Sequence, residues 1–235
     1  MPKTGVEYAS DQITIYDSCV FRCKYCWNRL PIMQSRISRR KYSPIDEALK
    51  YTRSRKPRII VISFVNDPYQ PREITERKTR KVLEILLQSP IKHRIMILTK
   101  NPKLALDRDF ELMNNNVWLG STVTALCKIP DEPYAPSNVE RIEALLEAHQ
   151  DGIHTWMSIE PWIPNITRPT EIINYTHEFI DLYIVGRLNY AKQLGYNHVT
   201  DDFYRKTLPD VISLLKKLKK PFIIKKELKK VMSNV

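Results

Sequence analysis

Short apolar runs alternate with helical patterns about six times along the chain, each run is apolar almost throughout, and polar side chains gather just behind it. These observations predict an α/β fold of parallel strands covered by helices: a partial (β/α)6 barrel of the TIM type, with a short seventh strand and a C-terminal helix. A strand that alternates apolar and polar residues keeps one face in water. A continuous apolar run is buried on both faces, as parallel strands under right-handed crossover helices are. A doubly wound sheet is the rival arrangement for the same pattern.

The strands are expected, in order, at ITIY from Ile13, RIIVISF from Arg58, RIMILT from Arg94, VWLGSTV from Val117, TWMSI from Thr155, LYIVG from Leu182 and PFIIK from Pro221. Helices are expected between them at IDEALKYTR from Ile45, EITERKTRKVLEILLQ from Glu73, KLALDRDFELM from Lys103, NVERIEALLEAH from Asn138, PTEIINYTHEF from Pro169 and DFYRKTLPDVISLLKKL from Asp202. Ser43 ahead of Pro44 and Ile45 reads as a helix start, and Ser137 with Glu140 as a capping box. Trp118 and Trp156 lie within strands and are expected in the core. No repeat, low-complexity tract or Gly-Ser linker divides the 235 residues, so a single domain over 1–235 is expected.

The opening segment MPKTGVEYASDQ is polar, and no run approaches the roughly 20 apolar residues of a membrane span. A soluble, cytoplasmic protein with no membrane partner is expected. The formal charge is +12, with basic runs at Arg36 to Lys41, Arg53 to Arg58, Arg77 to Lys81, Lys216 to Lys220 and Lys225 to Lys230. Such a surplus suits a phosphate-rich partner, because each neutralised phosphate releases counterions. Nucleic acid is the partner this charge points to; a solvated, Lys-rich coat of the thermophile kind is the alternative account.

Cys19, Cys23 and Cys26 stand in DSCVFRCKYCWN with the spacing CxxxCxxC. Iron–sulfur cubes normally take one thiolate on each of four irons. Three thiolates from one loop leave the fourth iron open, as a catalytic zinc keeps a position that a structural zinc closes. The spacing therefore points to a reactive [4Fe-4S] cluster. A structural zinc would borrow its fourth ligand from Cys127 or from His93, His149, His154, His177 or His198, none of which forms a second CxxC or HxxxH unit. A disulfide scaffold does not crowd its cysteines in this way.

In barrels the chemistry sits at the C-terminal ends of strands. Behind the apolar runs stand the three cysteines, then Ser63, Asn66, Asp67, Tyr69 and Gln70, then Thr99, Lys100 and Asn101, then Ser121 and Thr122, then Ser158 and Glu160, then Arg187 and Asn189, and last Lys225. These groups are expected to converge on one mouth, although helix caps produce the same pattern.

CVFRCKYCW resembles the CxxxCxΦC cluster loop of the radical S-adenosylmethionine superfamily, with Tyr25 as the aromatic Φ. NDPYQPRE from Asn66, ILTKNP from Ile97 with Arg108 and Asp109, and EPYAPSNVERIEAL from Glu132 are similar to the DNA-repair-photolyase-like branch that includes spore photoproduct lyase. SIEPWIP from Ser158, YIVGR from Tyr183 and PFIIK from Pro221 resemble a neighbouring phage-type group of radical enzymes.

The resemblance implies an enzyme in which Cys19, Cys23 and Cys26 hold a [4Fe-4S] cluster whose open iron chelates S-adenosylmethionine. An electron from an external donor then yields a 5′-deoxyadenosyl radical that abstracts hydrogen from a substrate. It also implies cofactor contacts. Tyr25 packs near the adenine, and Ser63, Asn66 and Asp67 stand where relatives carry a Gly-Gly-Glu element for the methionine amino group. Lys100, Ser121, Ser158, Glu160 and Arg187 serve the rest of the cofactor, Lys100 suiting its carboxylate by charge. Spore photoproduct lyase returns a hydrogen from a cysteine near its second strand, where this chain has Asp67, Pro68 and Tyr69. Cys127 and Tyr69 are then the catalytic candidates. The implied substrate is a nucleic acid or nucleotide, in repair or modification. A radical enzyme acting on a peptide or protein, and a non-catalytic zinc or iron–sulfur binding module, are the alternatives.

Overall fold

Seven parallel strands pair in chain order in the computed structural model: β1 (Asp11–Ile13), β2 (Ile59–Ile62), β3 (Arg94–Thr99), β4 (Val117–Thr122), β5 (His154–Trp162), β6 (Leu182–Arg187) and β7 (Phe222–Ile224). The structure describes residues 6–38, 43–63 and 65–233, and the side chains of all of these but 36–38 and 233. The basic run from Arg36 to Lys41, and Phe64 at the end of the second expected strand, fall outside the described side chains. The helices are α1 (Pro31–Ser38), α2 (Pro44–Thr52), α3 (Glu73–Glu76), α4 (Lys78–Leu87), α5 (Pro102–Asp109), α6 (Asn138–Gln150), α7 (Pro169–Thr176), α8 (Asp201–Lys217) and α9 (Lys226–Ser233). The strands curl into an open half-barrel with helices between them, the α/β partial barrel of the TIM type, and the doubly wound alternative falls away. Among the described residues no helix is long and apolar enough to cross a membrane.

Strand alternation makes two cores. Ile60, Ile62, Ile95, Ile97, Val117, Leu119, Met157, Ile159, Tyr183 and Val185 belong to the main cluster under the helices. The residues between them, Val61, Met96, Trp156 and Ile184, form a second cluster inside the half-barrel with Val6, Tyr8 and Ala9. Residues 6–9 thus plug the barrel floor, Tyr8 lying against Trp156 with ring centroids 5.3 Å apart. Trp156 in turn covers Gly120, where a Cβ would stand 2.1 Å from the indole. The plug is tied at both sides of the opening: Glu7 accepts from the backbone N–H of Lys226, and the Ser10 N–H donates to Ile59 O at 2.9 Å.

Local departures from the expected elements have physical causes. Ile13 pairs with Ile62 at the end of β2, so Thr14 to Tyr16 extend past their partner strand and β1 covers residues 11–13 instead of 13–16. The helix expected over 73–88 breaks at Arg77, which adopts φ 50°. Glu73 folds back so that its Oε1 accepts from the N–H groups of Thr79 (2.9 Å) and Arg80 (3.2 Å), capping α4. The capping box predicted at Ser137 and Glu140 is present.

Candidate active site at the barrel mouth

The inward series of β2, β3, β4, β5 and β7 turns polar toward its C-terminal end: Val61 gives way to Ser63, Leu98 to Lys100, Gly120 to Thr122, Trp156 to Ser158, and Ile223 to Lys225. This layer borders a cavity of about 910 Å³. Of the residues expected to form the site, Cys19, Cys23, Cys26, Tyr25, Ser63, Asn66, Asp67, Lys100, Ser158, Glu160 and Arg187 line it.

One wall is the cysteine loop. Cys23 is buried while Cys19 and Cys26 are half-buried. The left-handed residue Arg22 (φ 48°) turns the chain between the first two cysteines, and the N–H of Cys26 donates to Cys23 O at 3.1 Å. Much of the loop's support comes from the segment after β2. Asn66 donates to the carbonyl of Tyr16. Gln70 accepts from the N–H of Val20 at 3.1 Å and donates to Ser18 O at 2.9 Å. Asp67 is equally committed, accepting from Thr99 Oγ1 at 2.6 Å, Tyr69 N–H at 2.9 Å and Lys100 N–H at 2.6 Å. The NDPYQP segment is thus a bracket between the cysteine loop and β3. Asn66 and Asp67 border the cavity, but most of their hydrogen-bonding capacity is spent on the scaffold.

Lys100 rises from the end of β3 with its Nζ 5.5 Å above the Tyr25 ring centre and forms no ion pair among the described residues. On the far wall Lys225 Nζ donates to both Glu160 oxygens at 3.0 and 2.8 Å, and Asn189 Nδ2 approaches Oε1 at 3.4 Å. Glu160 lies flat over Gly186, where a Cβ would stand 2.7 Å from its Cδ. Burial holds the Glu160 carboxyl above the ordinary range, against the pull of Lys225.

Five expected residues do not reach the cavity: Gln70, already committed to the cysteine loop, Asn101, which donates to Tyr69 O at 3.1 Å, and Ser121, Tyr69 and Cys127. Ser121 faces the helices and donates to Thr99 O at 2.7 Å; its neighbour Thr122 points inward in its place. Tyr69 is fully buried and donates to Asp109 at 2.7 Å. Cys127 is exposed and outside the cavity lining. Strand-end polarity had also marked Thr122, Asn189 and Lys225 without giving them a role, whereas Arg22, Asn28 and Arg29 in the lining carried no such signal.

The residues present suit an iron–sulfur cube and S-adenosylmethionine. Burial pushes the Cys19 and Cys23 thiols up to about 11, Cys19 further through Asp67 and both against the pull of Lys100, and it raises Cys26 in the same direction. Ionising such thiols at neutral pH takes a nearby positive charge, which bound metal supplies. Among the described residues no group of three or more His, Cys, Asp or Glu side chains is arranged to hold a metal ion. A cube assigns each thiolate its own iron, so its requirement is thiols along one wall. Asn28 Oδ1, beside this loop, is buried without a hydrogen-bond partner among the described residues, an acceptor left over for a ligand donor.

No family model matches the sequence. An uncharacterised protein of Methanocaldococcus jannaschii is 27% identical over 210 residues, which make up 85% of this chain and 77% of that protein. Among solved structures, SuiB of Streptococcus suis bound to S-adenosylmethionine superposes with a TM-score of 0.62 at 15% identity, covering 91% of this chain and 50% of that one. The chain therefore spans about half the length of SuiB. A point variant of spore photoproduct lyase superposes with a TM-score of 0.67 at 11% identity, covering 92% of this chain and 76% of that one. Identities this low speak to architecture: the curled half-barrel of this chain is the fold of the radical S-adenosylmethionine enzymes, with spore photoproduct lyase among its structural relatives.

Proposed function

We propose that the protein is a radical S-adenosylmethionine enzyme. The observation that carries this reading is the meeting, around one cavity in that fold, of three thiols on a CxxxCxxC loop and a lysine free of carboxylate partners. Cys19, Cys23 and Cys26 would hold a [4Fe-4S] cluster, and Lys100 would pair with the carboxylate of S-adenosylmethionine. Bound together, cluster and cofactor supply a hydrogen-abstracting radical. The chain's own part is placement: the NDPYQP bracket fixes the cysteine loop, Asn28 offers an acceptor, and the Glu160–Lys225 pair gives the far wall a polar surface. Anaerobic reconstitution should give a brown protein with iron and sulfide near four each, and dithionite with S-adenosylmethionine should release 5′-deoxyadenosine. Stoichiometric zinc without iron would overturn this reading.

A nucleic acid or nucleotide is the substrate we infer. Arg22 and Arg29 are exposed at the cavity rim and form no ion pair among the described residues, and the formal charge of +12 adds a general attraction for phosphates. A peptide is the second reading, favoured by the structural likeness to SuiB, which was also solved with its precursor peptide SuiA. Oligonucleotide binding that weakens steeply with salt, and more gently in an Arg22→Ala/Arg29→Ala variant, supports the first; a flat salt response favours the second.

A further inference from the structure

The outer side of the cysteine loop is held by a buried charge pair that the cluster chemistry does not by itself require. Tyr25, one residue before Cys26, is buried and donates its hydroxyl to Glu132. The other Glu132 oxygen takes the guanidinium of Arg141, and the two side chains are 3% and 0% exposed. Arg141 is itself fixed: it donates to the carbonyls of Thr122 at 2.9 Å and Pro136 at 2.9 and 2.6 Å, and to Asn138 Oδ1 at 3.3 Å. Beside it the Lys24 N–H donates to Asp131 O at 2.8 Å, and Asp131 Oδ2 accepts from the Tyr196 hydroxyl at 2.7 Å.

Taking two charges out of water costs several kcal/mol per ion, and well-packed apolar side chains of similar volume often serve stability as well or better. What an apolar substitute cannot supply is direction. The Glu132 carboxylate has one oxygen fixed by Arg141 and the other aimed at a single hydroxyl on the cysteine loop. Because Arg141 also grips the last carbonyl of β4 through Thr122, the loop is referenced to the strand end whose side chain borders the same cavity.

We propose that Glu132 is a positioning residue for the cluster loop: with Arg141 behind it, its carboxylate fixes Tyr25 and thereby the placement of Cys23 and Cys26 on either side. The proposal rests on reading the three cysteines as iron ligands. Partners that orient ligands from behind are worth about 10–100-fold in metal affinity, so the effect belongs in metal retention before any turnover.

The test compares wild type with Tyr25→Phe, Glu132→Gln and Glu132→Ala. Each is reconstituted anaerobically with iron and sulfide, without S-adenosylmethionine. Iron loss to a ferrous chelator is followed, together with the EPR spectrum of the reduced cluster and the unfolding temperature of the metal-free protein. Tyr25→Phe keeps the ring and the Glu132–Arg141 pair and removes only the hydroxyl. Tyr25→Phe and Glu132→Ala should lose iron about tenfold faster than wild type, with a changed spectrum, and Glu132→Gln, which keeps an acceptor for Tyr25, should recover much of the retention. Tyr25→Phe should do this with a smaller drop in metal-free unfolding temperature than Glu132→Ala, since it loses one hydrogen bond and keeps the buried charge pair. Iron loss at the wild-type rate in Tyr25→Phe overturns the proposal, as does loss that simply follows unfolding temperature across the four proteins. Glu132→Ala strands a buried Arg141 charge; if it does not fold, Tyr25→Phe decides alone. Wild type that takes up no iron overturns the iron-ligand reading itself, and this proposal with it.

Discussion

The floor and the mouth of the half-barrel are built from the same inward-facing positions of the same strands, yet they are chemically opposite. At the floor, Val61, Met96, Trp156 and Ile184 close around Tyr8, and Gly120 is small because the indole needs its space. One layer higher, Ser63, Lys100, Thr122, Ser158 and Lys225 leave a cavity of about 910 Å³. The site is thus the layer of the lumen that the chain does not fill with its own apolar side chains. Floor residues should therefore govern stability and mouth residues chemistry, with little crossing between the two.

The largest expected effect separates them outright. Cys23→Ala should abolish stable cluster binding, and with it release of 5′-deoxyadenosine, while costing the metal-free fold about 1 kcal/mol. Trp156→Ala should cost roughly 3–5 kcal/mol, yet leave iron uptake intact in the molecules that fold. Urea unfolding beside iron analysis checks both. Full iron binding by Cys23→Ala would remove that cysteine from the cluster, and selective iron loss in Trp156→Ala would break the division between floor and mouth.

The two glycines sharpen the contrast. A methyl at Gly120 meets a ring enclosed on all sides, so Gly120→Ala should destabilise by about 1–3 kcal/mol through overpacking. A methyl at Gly186 meets Glu160, whose carboxylate borders open cavity and can swing aside. Gly186→Ala should leave the urea midpoint near wild type and instead weaken binding of S-adenosylmethionine or substrate, read by calorimetry or turnover. Equal unfolding penalties would show that the mouth is packed as rigidly as the floor.

Acidity separates the layers more gently. Burial raises the Glu160 pKa above its ordinary 4.5, so the folded state favours the protonated form. Its contribution to stability is complete below pH 4.5 and declines as pH rises through the higher folded value. The stability difference between wild type and Glu160→Gln should therefore shift against wild type as pH rises above 4.5. The difference for Trp156→Ala, which changes no charge, should stay nearly flat. A flat Glu160 series would mean that Lys225 offsets the burial in full.

Much of this was legible from residues alone, for identifiable reasons. Apolar runs located each strand because a parallel strand under helices is buried on both faces, and the cysteine spacing stands out without any structure. Pairing limits and long-range contacts were not legible. Nothing in ITIY says that β2 ends opposite Ile13, and Arg77 breaks a helix whose pattern is continuous because Glu73 caps the next one through space. Asn66, Asp67 and Gln70 resembled ligands because polar residues behind a strand look alike, whether they face a cavity or hold a neighbouring loop. Glu132 lies 107 residues from Tyr25, a distance no local pattern spans.

Ser121 is the instructive error, and it supplies the smallest expected effect. Both Ser121 and Thr122 end the same strand, and only the two-residue alternation tells them apart. Gly120 lies under the inward Trp156, so Thr122 shares its face and Ser121 cannot. Ser121→Ala should cost about 1 kcal/mol, through the lost hydrogen bond to the carbonyl of Thr99, and leave S-adenosylmethionine affinity unchanged. Thr122→Val keeps the shape and removes the hydroxyl that β4 presents to the cavity. It should leave stability near wild type and weaken the cofactor by up to about tenfold, the worth of one hydrogen bond. Calorimetric titration of the reconstituted proteins beside urea unfolding gives four values. If the pattern is reversed, the cofactor approaches β4 from the helix side, and the mouth of the half-barrel is not where this protein works.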